Sequence, residues 1–186
     1  QLLSMAEGGF RYMLNNKRPI KTVADLKDLK MRLPEAPTYV DSFKAWGSNP
    51  TTMAYTETFA AVQQGTVDGL EIPLGSILSS GYQEINKYLS LTEHFSSPIA
   101  VMLSKNIWDS LSDEEKAWFN EAAAKTTVEH RVFMKDIQAK YLEEIKKSGI
   151  QVNEVEDKSE FRKAAQPVYD KYIAEFGSEI IDLISK

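Results

Sequence analysis

Apolar positions in the first half of the chain recur at two spacings. In "KMRL" (30–33) Met31 and Leu33 alternate with Lys30 and Arg32, the period of two that marks a strand. In "APTYVDSFKAW" Tyr39, Phe43 and Trp46 fall four and three apart, the period of a helix with one apolar face, and Gly47 stops it. Over "KTVADLKDL" Thr22 is placed as an N-cap and Asp25, three residues on, completes a capping box in its looser Asp form. "NPTTMAY" reads as extended, "TETFAAVQQG" as a short helix closed by Gly65, and "TVDGLEIP" as a further strand. Residues 1–13 read as an extended segment broken at Gly8-Gly9. This alternation of strands and helices predicts an α/β sheet with parallel crossovers.

The second half changes character. Residues 73–88 predict one or two short helices, and "YLSLTEHF" and "PIAVMLSKNIW" predict two extended runs. "SDEE" is a strong helix start, with Ser112 capping and Glu115 completing the box, and no breaker follows until Gly149. A helix of about 36 residues is roughly 54 Å long. That is too long for one small lobe, so it must cross two lobes or stand partly unsupported. "GIQVNEV" predicts a strand, and 157–184 predict closing helices anchored by Phe161, Tyr169, Tyr172, Ile173 and Phe176.

Composition narrows the function more than the fold. The 186 residues suffice for one large domain or two small lobes, and 42% apolar residues supply a core. A net charge of −5 argues against nucleic acid as a partner, because phosphate binding needs a basic face. One local Arg can still outweigh a weak overall field for a small anion. Cysteine is absent, which excludes thiolate catalysis, disulfides and Cys-based metal sites. The chain opens abruptly on an apolar strand, "QLLSMAEGGFRYML", and is expected to be a segment of something longer.

The residues offer little to an enzyme. The GxSxG elbow, the Walker loop and GxGxxG are absent, as is any H-x-x-x-H metal motif. His130 sits in the long helix between Glu129 and Arg131, a solvated face. His94 in "LTEHF" has the better case for a cleft, with a hydrogen-bonded structural role favoured over catalysis. Glu35 and Glu71 are candidates to share a cleft, but two carboxylates alone do not make a glycoside hydrolase. No cofactor and no metal are expected.

Binding fits better. Ligands of open α/β sheets collect at the carboxyl ends of the strands. Arg32, Tyr55 and the "EIP" of 71–73 fall at or just past predicted strand ends, and Arg11 follows the Gly-Gly pair. A guanidinium fork matches a carboxylate with two parallel donors. Each residue also has a plainer reading: Arg32 as a solvated strand end, Arg11 in a surface ion pair, Tyr55 as core, Glu71 as a solvated strand end.

Taken together these segments resemble the DctP-type solute-binding subunits of TRAP transporters. The resemblance is carried by "GFR" (9–11), "RPI" (18–20), "DLKDLKMR" (25–32), "GSNPTTM" (47–53) and "ETFAAVQQGTVDGLEIP" (57–73). "INKYLSLTEH" and "LSDEEKAWFNEAAA" extend it over essentially the whole chain. It implies a two-lobed α/β fold of the periplasmic-binding-protein class II type that closes on an organic acid and delivers it to a membrane permease. It implies an extracytoplasmic location and no catalysis. It makes Arg32 the salt bridge to the substrate carboxylate and Arg11 a second contact, with Tyr55 and Ile72 lining the same cleft. By resemblance, 1–98 form the second lobe. Residues 99–148 form returning first-lobe strands and the connecting helix, and 149–186 a strand and helices packing back on the second lobe.

Departures from the family pattern carry information. Ile72 stands where the family has Asn, which removes a polar contact and favours a ligand with an apolar portion. Glu35 follows the clamp, to neutralise Arg32, to meet a ligand hydroxyl or amine, or to lie in solvent. Thr52 and Asp28 replace family Pro and Gly without expected functional effect. Most of a first lobe is expected to be missing, leaving exposed apolar surface and a tendency to self-associate. A ligand-sensing extracytoplasmic domain is the alternative function, followed by an enzyme using Glu35 or Glu71 and a purely structural fragment.

Overall fold

The computed structural model describes residues 1–184. Six strands are assigned: β1 (Leu2–Asn15), β2 (Lys30–Leu33), β3 (Asn49–Thr52), β4 (Gly69–Pro73), β5 (Tyr88–Met102) and β6 (Gln151–Glu154). Between and after them lie α1 (Pro37–Ala45), α2 (Tyr55–Gln63), α3 (Leu74–Ser79), α4 (Tyr82–Ile85), α5 (Lys105–Ser110) and α6 (Asp113–Lys147). The chain closes with α7 (Ser159–Ala164), α8 (Gln166–Phe176) and α9 (Glu179–Ile184). All six strands join one sheet in the order β3-β2-β4-β1-β5-β6.

The expected parallel crossovers hold for β2 with β3 and for β2 with β4. They fail at β1, which pairs antiparallel with both β4 and β5. Apolar period marks a strand but not its direction, which is set by the long-range neighbours it meets. Gly8-Gly9 is not a break either. Strand β1 runs through it with a register shift between Glu7 and Phe10, and Gly9 takes φ 81°, so the pair forms a bulge. The two extended runs of 88–108 are one 15-residue strand, and "SKNIW" turns into α5 rather than continuing it. "KTVADLKDL" yields a single 3-10 turn, Val23–Leu26. The Asp25 carboxylate accepts from the Lys21 and Thr22 N–H groups, both at 2.9 Å. Past its C-cap Lys27, Asp28 takes φ 63°, a left-handed conformation that Asp tolerates better than most residues.

Two apolar cores lie on opposite faces of the sheet. One gathers Leu14, Leu70, Ile72, Ile77, Tyr82 and Leu89 under α2, α3 and α4, with Ile145 of α6. The other gathers Met13, Met31, Leu33, Phe43, Trp46 and Phe161 under α1 and α7. The pleat sends Met31 and Leu33 into the second core. It turns Arg32, paired with Leu70, to the face of the first.

Helix α6 is 35 residues long, about 52 Å. The Ser112 hydroxyl accepts from the Glu115 N–H at 3.2 Å and the Glu115 carboxylate accepts from the Ser112 N–H at 2.8 Å, closing the capping box. Only Ile145 of this helix is buried, while Trp118, Phe119, Val128, Val132 and Phe133 are exposed. Partly unsupported is therefore how it stands in this chain. Among the C-terminal anchors Phe161 is buried and its carbonyl accepts from the Trp46 indole at 2.8 Å, but Tyr169 is exposed and Phe176 stacks on Tyr172 at the surface.

Candidate functional site

Strands β2, β3 and β4 end at one edge of the sheet, and an open cavity of about 680 Å³ lies there. Pro34 and Pro73 terminate two of these strands and line it, since proline cannot extend a ladder. Because β1 is antiparallel to β4, its Gly8–Arg11 stretch reaches the same edge. Ser97, Pro98 and Ile99 of β5 reach it by pairing with β1.

Arg32 occupies the back of this cavity and is 4% exposed. Its Nε and Nη2 donate to the Met53 carbonyl at 3.2 and 2.7 Å, and its guanidinium lies 5.9 Å from the Tyr55 ring centre. Among the described residues no carboxylate forms an ion pair with it. Burial depresses its pKa, partly offset by the field of Glu71 and Tyr82. A buried cation without a countercharge is costly. Two donors on one carbonyl fix the plane of the guanidinium, and the end-on fork of Nη1 and Nη2 stays available to an anion.

Arg11 is arranged differently. Its Nε and Nη2 donate to the two carboxylate oxygens of Glu71, the latter at 2.7 Å, and Nη2 also donates to the Glu71 carbonyl at 3.0 Å. Nη1 is left to face the cavity, 3.4 Å from the Ser97 hydroxyl. Desolvation works against the charge of Arg11, but Glu71 outweighs it and the pKa rises. Glu71 itself is fully buried and sits behind the wall. His94 lies on its far side, with Nε2 3.5 Å from a Glu71 oxygen and Nδ1 2.7 Å from the Thr92 hydroxyl. The rings of Phe43, Trp46 and Phe95 pack around His94. This burial pushes the imidazole pKa down against the pull of Glu71, so the ring is neutral. A neutral ring accepts at Nδ1 from the Thr92 hydroxyl, while Nε2 is buried near Glu71 without a hydrogen-bond partner.

Four of the six residues singled out from the sequence therefore line one cavity: Arg32, Arg11, Tyr55 and Ile72. Glu71 lies behind them as the counter-ion of Arg11, and Glu35 is exposed beside the cavity without lining it. Sequence reasoning missed Tyr39, Ser76, Ser97 and Ile99 in the lining. Tyr39 had read as part of an apolar helix face, but its ring also carries the Arg11 guanidinium at 5.4 Å. Ser97 and Ile99 carried no local signal, since the β1–β5 register alone brings them here. Among the described residues no group of three His, Cys, Asp or Glu is placed to hold a metal ion, and no helix is long and apolar enough to cross a membrane.

Comparison with known proteins places this arrangement. A TRAP periplasmic solute-binding protein from Polaromonas, solved with bound D-erythronate, superimposes with a TM-score of 0.93 at 45% identity, covering 98% of this chain and 60% of that one. One from Bordetella bronchiseptica, with ligand density assigned to pantoate, gives 0.92 at 41% identity over 98% and 60%. A solute-binding protein of Verminephrobacter eiseniae is 37% identical over 98% of this chain and 54% of its own length. The chain thus spans about half the length of the curated relatives it matches. Residues 1–175 match the profile of the bacterial extracellular solute-binding proteins, family 7, named DctP, and the chain belongs to that family.

Proposed function

We propose that this chain forms part of the extracytoplasmic solute-binding subunit of a TRAP-type transporter, capturing an organic acid by its carboxylate. The observation that carries the reading is Arg32: a buried, oriented guanidinium without an acidic partner among the described residues, at the carboxyl ends of parallel strands. The Polaromonas protein, 45% identical, holds a sugar acid. In this reading Arg32 clamps the carboxylate, Tyr55 and Ile72 form the walls, and Arg11 offers Nη1 while Glu71 holds it from behind. Glu35 stands at the rim. The family is one of solute-binding proteins rather than enzymes, and we read this chain as a binder without turnover. Residues 1–98 make up the second lobe, 99–148 bring back strand and connecting helix toward the first, and 149–184 pack on the second lobe. Residues 185–186 of that last unit lie outside the described residues. The partners are the organic acid and the membrane permease, and the exposed apolar faces favour association between copies of this chain.

The test is calorimetric titration of D-erythronate into the protein at its natural length. Arg32→Ala removes two charge-assisted hydrogen bonds, each worth about 1.5–3 kcal/mol, so affinity is expected to fall about 100-fold or more. Circular dichroism should be unchanged. Undiminished affinity would overturn the carboxylate-clamp reading.

A further inference from the structure

Resting on the reading of Arg32 as the carboxylate anchor, we propose that the site selects a short hydroxylated monocarboxylic acid bearing an alkyl branch, and rejects dicarboxylic acids. Two observations converge on this class. The first is charge. Two guanidinium groups face the cavity, but Arg11 is neutralised by bidentate contact with the fully buried Glu71, and His94 behind it is neutral. Among the described residues one uncompensated cation remains on this wall, so the wall balances one carboxylate. Against the described residues a second carboxylate meets no countercharge and is left desolvated and unpaired.

The second is the chemistry of the walls. Ile72 lines the cavity from β4, Ile99 and Pro98 from β5, and Ala36 and Pro34 from the turn after β2. Tyr55 offers little polarity, because its hydroxyl is taken up by Ser80 at 2.6 Å and its ring faces Arg32. Among the described residues, the side-chain donors for ligand hydroxyls along this wall are Nη1 of Arg11 and the hydroxyls of Tyr39, Ser76 and Ser97. Such a site satisfies one carboxylate and one or two hydroxyls while the remaining ligand surface lies on aliphatic carbon. A ligand with hydroxyls on every carbon would leave some of them unpaired against Ile72 and Ile99, whereas methyl groups there are buried favourably. Ile72 is the residue assigned to this choice, since Asn at that position would turn the apolar wall into an amide.

Three acids built on a four-carbon chain separate the possibilities: pantoate (one carboxylate, two hydroxyls, two methyl groups), D-erythronate (one carboxylate, three hydroxyls) and malate (two carboxylates). Titration into the protein at its natural length is expected to give pantoate about 10-fold or more tighter than D-erythronate, the scale on which apolar pockets discriminate small alkyl groups, with malate weakest. Ile72→Asn is expected to erase or invert the preference of pantoate over D-erythronate, while Ile72→Val, which keeps the wall apolar, retains it. D-erythronate binding as well as pantoate would overturn the alkyl selection, and so would an unchanged ratio in Ile72→Asn with native circular dichroism. Malate binding tightest would overturn the single-charge argument. Binding of none of the three, or of all three undiminished in Arg32→Ala, would instead sink the carboxylate reading beneath it.

Discussion

Arg11, Glu71 and His94 meet behind the cavity wall, and two of them carry a testable consequence. Glu71→Gln keeps the shape and removes the charge that holds Arg11. Breaking a fully buried pair costs about 3–5 kcal/mol, and the Arg11 side chain keeps 15% exposure, so urea unfolding is expected to show a loss nearer 2–3 kcal/mol. The neutral His94 makes stability fall with acid. Its folded pKa lies below the ordinary value of 6.5 because burial dominates, with Glu71 pulling upward and Arg11 downward. Above about 6.5 neither folded nor unfolded imidazole is charged, and the contribution is fully present. As pH falls below that value the unfolded chain takes up the proton first, and stability drains until the depressed folded pKa is passed. Between pH 7.5 and 5.5 a progressive loss of stability is expected from this group. The difference between the wild-type and His94→Gln pH profiles isolates it, and parallel profiles would contradict the assignment. None of this was legible in "LTEHF" or "GLEIP" alone. Arg32 was legible as a carboxylate anchor only through the family resemblance, because in the alternation of "KMRL" it occupies an ordinary polar position.

Among the elements, the β1–β4 pairing holds the site in register, and it hinges on Gly69. A Cβ there would lie 2.0 Å from the Leu14 carbonyl and 2.8 Å from the Asn15 Cα, both backbone atoms of the neighbouring strand. Gly69 also pairs with Met31, next to Arg32. Gly69→Ala is therefore expected to cost about 3 kcal/mol or more by chemical denaturation, because backbone cannot yield as a side chain does. Gly65 contrasts with it: nothing lies within 4 Å of a Cβ there, and its φ of 73° alone explains the glycine. From sequence Gly65 reads as a helix stop and Gly69 only as a member of a strand, with no sign of the close backbone approach it serves. Helix lengths and caps were readable locally, as the Ser112 box shows, because caps are made within four residues. Strand direction was not, because β1 takes its partners from residues 69–73 and 88–102.

For the molecule as a whole, apolar exposure is concentrated rather than scattered. Leu2, Met5, Ile99, Val101 and Met102 emerge along the β1–β5 ribbon, and Trp118, Val128, Val132 and Phe133 along α6. Contiguous surface of this kind drives association. Sedimentation velocity on the 186-residue chain at about 100 µM is expected to give a weight-average mass above the 21.0 kDa of one chain. The double change Val132→Glu, Phe133→Asp should shift it toward one chain. A single species at one chain's mass across the concentration range would contradict the expectation.

The sequence by itself determined the strand and helix periods, the capping box of the long helix and the exclusion of thiol chemistry. All of these are set by residues within a turn or two of one another, where propensity and alternation act directly. Only the tertiary structure decided that β1 runs against its neighbours, that Glu71 belongs to Arg11 rather than to the cavity, and that Ser97 and Ile99 share a wall with Ile72. Those outcomes depend on which distant segments bury each other's faces, and on where a carboxylate finds its countercharge once water is excluded. A local pattern cannot encode either, since the same residues in another register would pair with other partners.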